Sequence, residues 1–292
     1  MKTITKVALA SSVGLMLCGA VMCAVGAGMG GRAAAMELTD LSPYMSLRNG
    51  LTVGYDAMDD LSKEGDYELK FDSSDVSNVN IEIGASDVKI TDNTKDDNIY
   101  VTIKNASYAS KDYDREFGLK VKGNTNGKSH VIIQMPKGRE YNSVNFSVGA
   151  TDMEIESLIC NGLVINSGAG NVTIGDLISA DYADLNVGAG SLEIKNGKVK
   201  DLTIECGAGD VQFNGYIEDD LDAECGMGNI SLTLAGKSED HVISYKAAMG
   251  NVTFNGVKTS GIVSHEEIGT DEDSVYEIEC SMGNIDITFN ED

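Results

Sequence analysis

The stretch that decides the fold is TIECGAGDVQFNG, Thr203 to Gly215. An alternating segment runs into Gly207-Ala208-Gly209, and a second alternating segment leaves it. VINSGAGNVTIGD and LNVGAGSLEIKNG precede it, and DAECGMGNISLTL follows. The copies of the turn begin at Gly84, Gly149, Gly168, Gly188, Gly207, Gly226, Ala248 and Ser281. From Gly149 to Gly226 the spacing is 19, 20, 19 and 19 residues; it then widens to 22 and 33, which places insertions in the last two copies. Positions one, three and five before the turn are mostly apolar, as in Leu202, Ile204 and Cys206 or Val79, Ile81 and Ile83. Positions four and six from its start are apolar in every copy, as in Val211 and Phe213, while Thr203, Glu205 and Gln212 between them are polar. That is period two, a strand with one buried face. A helix would need a period near 3.6, and glycine at every turn opposes it.

A unit of about 19 residues is too short for a β-α-β unit of roughly 30. It suits one coil of a stack in which neighbouring coils share backbone hydrogen bonds at about 4.8 Å. One coil cannot bury its own apolar face; stacked coils can. The expected fold is therefore all-β: a β-solenoid of two-strand coils with Gly-x-Gly turns, preceded by one N-terminal transmembrane helix. Gly170, Gly190, Gly209, Gly228, Gly250 and Gly283 hold the third turn position, where a positive φ is expected. Ser86 and Thr151 replace glycine there, so those two turns must differ. The next residue is always Asp, Asn or Ser: Asp87, Asp152, Asn171, Ser191, Asp210, Asn229, Asn251 and Asn284. Such side chains bond nearby turn backbone.

Three domains follow: an anchor over residues 1–32, a linker over 33–71 and the solenoid over 72–292. Lys2 and Lys6 precede an uncharged run from Val7 to Gly31. At 1.5 Å per residue this run spans about 37 Å, enough to cross a bilayer. Positive charge on its N-terminal side keeps the N-terminus cytoplasmic and sends residues 33–292 outward. Ala33-Ala34-Ala35 also fits a signal-peptidase site, although the run is longer than an ordinary signal core. Cys18 and Cys23 follow Leu17 and Met22, neither of which is the small residue that lipidation requires. With 292 residues, 33 Gly, two Pro and no Trp, the composition fits many tight turns between regular strands. A net charge of −24 excludes a nucleic-acid partner, which demands a basic face.

The run VIIQMPKGREYNSVNFSVGATDMEIESL, the Gly-Ala-Gly coils after it and the late IECSMGNIDITF resemble the membrane-tethered putative-adhesin β-solenoid domains of Gram-positive bacteria, a family of unknown function. The anchor's ending, GAGMGG, is similar to their N-terminal segments. The resemblance covers about residues 2–32 and 72–292. It implies a solenoid on the outer face of the membrane and carries over no catalytic residue.

Chemistry is sparse. The Asp/Asn/Ser turn column has the look of a calcium ladder, but it mixes neutral with charged residues and the repeat is about twice a calcium-binding nonapeptide, so turn capping is expected. Cys206 and Cys225 precede turns on adjacent coils, close enough for a disulfide. Cys280 occupies the same position in its own copy. All three lie on the apolar register, so stacked buried thiols are expected. His130, His241 and His265 lie far apart in sequence and lack metal-ligand spacing. Asp271, Glu272 and Asp273 read as a solvated loop. No catalytic, cofactor-binding or metal-binding residue is assigned, and no cofactor is expected. The leading functional reading is a non-enzymatic, adhesin-like binding or structural module at the cell envelope, its partner a wall glycan or envelope protein. An envelope-stress sensor acting through a membrane partner is the alternative, and a carbohydrate-active enzyme a minor one.

Overall fold

The computed structural model describes residues 62–113, 115–123, 129–267 and 274–290. The expected anchor, the linker up to residue 61 and the acidic triplet at 271–273 lie outside the described residues. Within them the chain is all-β. The one helical element described is a 3-10 turn at Ser238–Asp240, and no described helix is long and apolar enough to cross a membrane.

The strands are β1 (Gly65–Asp72), β2 (Asn78–Ile83), β3 (Asp87–Asn93), β4 (Asn98–Tyr113), β5 (Glu116–Gly123), β6 (His130–Pro136), β7 (Glu140–Ala150), β8 (Met153–Ala169), β9 (Val172–Ala189), β10 (Leu192–Ala208), β11 (Val211–Ile217), β12 (Leu221–Met227), β13 (Ile230–Ala235), β14 (Val242–Phe254), β15 (Val257–Glu267), β16 (Val275–Met282) and β17 (Ile285–Asn290). At the centre, β8, β9 and β10 run parallel, offset by one repeat. Ile155 pairs with Ile174 and Ile174 with Ile194; Ile165 pairs with Leu185 and Leu185 with Ile204. Each long strand supplies the second arm of one rung and the first arm of the next. Register shifts between Cys160 and Gly162, and between Val199 and Asp201, absorb the alternation of 19- and 20-residue spacings.

The alternation expected from the opening stretch is present side chain by side chain. Leu202, Ile204, Cys206, Val211 and Phe213 are all buried. Glu205, Asp210 and Gln212 are exposed, and Thr203 is half-buried. Burying one apolar face per arm is the main favourable contribution, because each such side chain contributes about 1.5–3 kcal/mol when removed from water.

The stacking order departs from chain order at both ends. On the N-terminal side, β2 and β3 sit between β5/β6 and β7/β8. On the C-terminal side, β16 and β17 insert between β12/β13 and the two arms of β14. The 33-residue spacing that read as an insertion is therefore the hairpin β14–β15 plus the return of the chain into the stack. Both ends finish in antiparallel strands. β4 covers β5 and β6 and is itself paired with β1, while β15 folds back on β14. Such caps occupy backbone groups that a bare parallel edge would leave open. The β14–β15 hairpin turns at Asn255 (φ 46°) and Gly256 (φ 80°), the residue pair that favours this tight turn. β1 lies almost wholly inside the stretch read as linker, its Tyr67, Leu69 and Phe71 packed on the core.

At the third turn position Gly170, Gly190, Gly209, Gly228 and Gly283 have positive φ, between 119° and 146°. Gly250 does not share that conformation. It lies within β14 opposite Gly261 of the cap, and the antiparallel pairing holds it extended. Close approach still requires glycine there, because an added Cβ would stand 1.6 Å from the Gly283 carbonyl oxygen. In the two turns whose third position is not glycine, Thr151 is buried and its hydroxyl donates to the Gly84 carbonyl (2.7 Å), and Ser86 is likewise buried.

Candidate functional site

With the interior closed by apolar side chains, chemistry is confined to the outer faces and the turn edge. The first turn position is glycine on consecutive rungs, so no side chain stands there. The result is a groove of about 810 Å³ floored by Gly84, Gly149, Gly168, Gly188 and Gly207. Its rim carries Glu82, Ser147, Asn166, Asn186 and Glu205, which are register partners on successive rungs. Asn186 Nδ2 donates to Asn166 Oδ1 at 3.3 Å. A Cβ at Gly188 would lie 2.6 Å from the Gly168 carbonyl oxygen and one at Gly207 2.5 Å from that of Gly188, so close packing of turn backbones requires glycine at these two floor positions.

The rim column continues past the groove as Glu205, Glu224 and Glu279 and ends at Lys246. The Lys246 ammonium donates to both Glu279 oxygens at 3.1 and 3.3 Å. A second column, two residues earlier on each rung, runs Asp184, Thr203, Asp222 and Glu277. Burial raises the carboxyl pKa of Asp184 above its ordinary value. Partial desolvation among its neighbours raises the solvent-exposed Glu205 also, helped by Asp184. Asp222 and Glu224, also solvent-exposed, are raised by partial desolvation and then by their acidic neighbours. One half of this face is amide-bearing and bounded by the Glu82–Lys120 ion pair (3.1 Å), and the other is acidic.

The Asx column at the turn acts between rungs rather than within its own turn. Asp152 Oδ1 accepts the backbone N–H and side-chain amide of Asn171 (2.8 and 3.1 Å), and Asn171 Oδ1 accepts the Ser191 N–H (3.1 Å). A second run starts at Asp210, which accepts both groups of Asn229 (3.1 and 2.7 Å). Asn229 in turn accepts both from Asn284 (3.2 and 2.8 Å), and Asn284 both from Asn251 (3.2 and 2.8 Å). Asparagine propagates the ladder because it accepts on one atom and donates on the other; aspartate only accepts, so it starts a run. The Oδ1 atoms of Asp152, Asn171, Asp210, Asn229 and Asn284 are engaged by these donors.

Cys206, Cys225 and Cys280 are free, buried and stacked on consecutive rungs. The sequence placed only the first two side by side; the inserted C-terminal rung adds the third. The hydrogen bond to Cys206, together with burial, pushes the Cys225 thiol up to about 12, while the bond from Cys280 acts the other way. Cys280 is raised further, by its bond to Cys225 and by burial. Cys160 is buried elsewhere in the core, and burial pushes it up to about 12. Cys206 shifts the other way, lowered by its bond with Cys225; the thiols of Cys160, Cys225 and Cys280, held protonated, are poor nucleophiles.

The histidines do not converge. His130 Nδ1 lies 3.3 Å from Asp87 Oδ2 on an exposed face, in a hollow whose lining holds no serine or cysteine. His241 is buried and stacked on Tyr276, ring centroids 4.2 Å apart. Its Nδ1 lies 2.7 Å from Ser274 Oγ. Because that hydroxyl gives its hydrogen to the Asp219 carbonyl, Nδ1 is the protonated ring nitrogen. The side chain of His265 lies outside the described residues. Among them, no group of three or more His, Cys, Asp or Glu is set to hold a metal.

Solved structures similar to this chain include a putative cell adhesion protein from Clostridium sporogenes, 15% identical with a TM-score of 0.34, covering 78% of this chain and 100% of that one. A putative adhesin from Parabacteroides distasonis is 14% identical, with a TM-score of 0.42 and coverage of 77% and 98%. A putative lipid binding protein from the same organism is 13% identical, with a TM-score of 0.35 and coverage of 76% and 96%. No curated protein matches the chain. The sequence pattern of one family spans the rungs just described, from residue 77 to residue 288, and the chain belongs to that family, Toastrack DUF4097.

Proposed function

We propose that this chain is a single-pass membrane protein whose residues 33–292 form an extracytoplasmic β-solenoid and act as a non-enzymatic binding module at the cell envelope. The parallel ladders at one-repeat offset support the solenoid reading, and the uncharged run Val7 to Gly31 supports the anchor. The observation that carries the binding role is the glycine-floored groove, which crosses successive rungs beside a periodic rim of amides with a carboxylate at each end. Such a trough suits an extended polymer whose polar groups recur along its length, with hydroxyl, amide or ammonium groups facing Asn166, Asn186 and Glu205.

The test is retention of envelope material by full-length protein in detergent, wild type against an Asn166→Trp/Asn186→Trp variant that narrows the groove. Wild type should retain a defined wall polymer or envelope protein, and the variant should lose it. Equal retention by both, or none by wild type, rejects the groove as a binding site. Protease shaving of protoplasts checks the topology: residues 33–292 should be digested from outside, and their protection would reject it.

A further inference from the structure

The middle residue of each turn forms its own column. Ala150, Ala169, Ala189 and Ala208 are register partners on successive rungs. From β12 onward the column changes to methionine: Ala208 pairs with Met227, Met227 with Met282, and Met282 with Met249. These three are separated in sequence and become neighbours, in the order 227, 282, 249, because the C-terminal rung inserts into the stack. They are 39%, 41% and 62% exposed. The other methionines among the described residues, Met135 and Met153, are buried in the core. Alanine suffices to close the same turn on the preceding rungs, so packing does not demand methionine here.

We propose that Met227, Met282 and Met249 form a binding site for a soft monovalent cation of the Cu(I) and Ag(I) class. Thioether sulfur is a soft, neutral donor that selects such ions over calcium or magnesium. Adjacent rungs stand about 4.8 Å apart, and methionine is long, unbranched and flexible. The outer two thioethers can therefore lean toward the middle one and enclose a single ion. Their exposure leaves the ion a direct path from solvent. The chain's net charge of −24 raises the local concentration of any cation. The thiols of Cys225 and Cys280 lie beneath the turns on the same side: Cys280 Sγ is 3.4 Å from the Gly228 carbonyl oxygen and Cys225 Sγ 3.5 Å from that of Gly209. Turn backbone separates them from the surface, so the thioethers are the accessible sulfur. Binding involves no change of oxidation state.

The experiment uses the full-length chain in detergent, with Cys18→Ser and Cys23→Ser to remove thiols outside the described fold. Cu(I) is titrated anaerobically against a chromophoric chelator. The chain should withdraw one Cu(I) through this site, and M227L/M249L/M282L, which keeps apolar bulk and removes sulfur, should bind at least about tenfold more weakly. A C225S/C280S variant should bind as wild type does. Equal affinity in the triple leucine variant, or loss of binding in C225S/C280S alone, overturns the proposal. Should the leucine variant fail to fold, methyl-labelled methionine spectra of the parent chain decide. One equivalent of Ag(I) should shift three methionine methyl signals together, and unmoved signals overturn the proposal.

Discussion

Ile204 and Thr203 are neighbours in sequence and opposites in the fold, so paired substitutions there probe the packing directly. Ile204 is 1% exposed, between its register partners Leu185 and Ala223. Ile204→Ala removes three buried carbons. At about 0.8 kcal/mol each that is about 2.4 kcal/mol of lost transfer energy, and a cavity walled by rigid ladders raises the cost to about 3–4 kcal/mol. Thr203→Ala, on the outer face, should cost no more than about 0.5 kcal/mol. Thr203→Asp is different, because its register partners are Asp184 and Asp222. Two unit charges about 4.8 Å apart in water repel by about 0.9 kcal/mol, so two neighbours oppose a charge at 203 by about 1.7 kcal/mol before screening. Urea melts in low and high salt separate these terms. The Ile204→Ala cost should be insensitive to salt, whereas the Thr203→Asp cost should shrink as salt rises. Equal costs for the two alanine variants would refute the one-sided burial, and a salt-independent Thr203→Asp cost would refute the acidic column.

The raised carboxyl pKa values of Asp184, Glu205, Asp222 and Glu224 mean that the folded state holds these protons more tightly than the unfolded chain. The stability they contribute is present below the ordinary carboxylate range and is lost as pH rises through the folded values. The melting temperature should therefore rise from pH 7 to pH 5, and Glu224→Gln should stabilise at pH 7 and flatten the profile; a falling melting temperature over that interval contradicts this. Gly209→Ala should destabilise far more than Gly236→Ala in denaturant melts. Both residues have positive φ, but an added Cβ meets the Gly190 carbonyl oxygen at 1.8 Å in the first case and nothing within 4 Å in the second; equal costs would mean that the turns do not pack closely. Asn229→Asp should cost more than Asn229→Ala, because it sets a second carboxylate where Asn229 now donates to Asp210 at 2.7 Å; hydrogen exchange at the Asn284 amide, whose acceptor is Asn229 Oδ1, should speed up in Asn229→Ala, and protection retained in that variant would count against the ladder.

Much of this architecture was legible in the sequence because a strand with one buried face writes its register in every second residue. Leu202, Ile204, Cys206, Val211 and Phe213 could be assigned inward from their period alone, and the turn glycines from their recurrence. The order of the rungs was not legible. Period two fixes which way a residue faces, not which rung it lies beside, so Cys280 and Met282 gave no sign of inserting between β12 and β14. The Asn255-Gly256 pair between Phe254 and Val257 was a readable hairpin signal that could have located the cap. Tyr67, Leu69 and Phe71 alternate as a strand does and could have moved the domain start earlier. The groove was partly legible, since consecutive glycines at one turn position leave a trough once the rungs stack. The acidic and methionine columns depend on lateral neighbours and needed the rung order.

That order underlies the groove's continuation and the methionine column, and disulfide mapping tests it most directly. Ser231 and Asp286 are exposed register partners on adjacent rungs, as are Asp286 and half-buried Thr253, so Ser231 and Thr253 stand two rungs apart. Neighbouring rungs bring Cα atoms within disulfide range, whereas two rungs, about 9.6 Å, do not. The double cysteine variants at 231 with 286 and at 253 with 286 should cross-link on mild oxidation, and the variant at 231 with 253 should not. Cross-linking of 231 to 253 with none between 231 and 286 would mean that the rungs stack in chain order, contradicting the account.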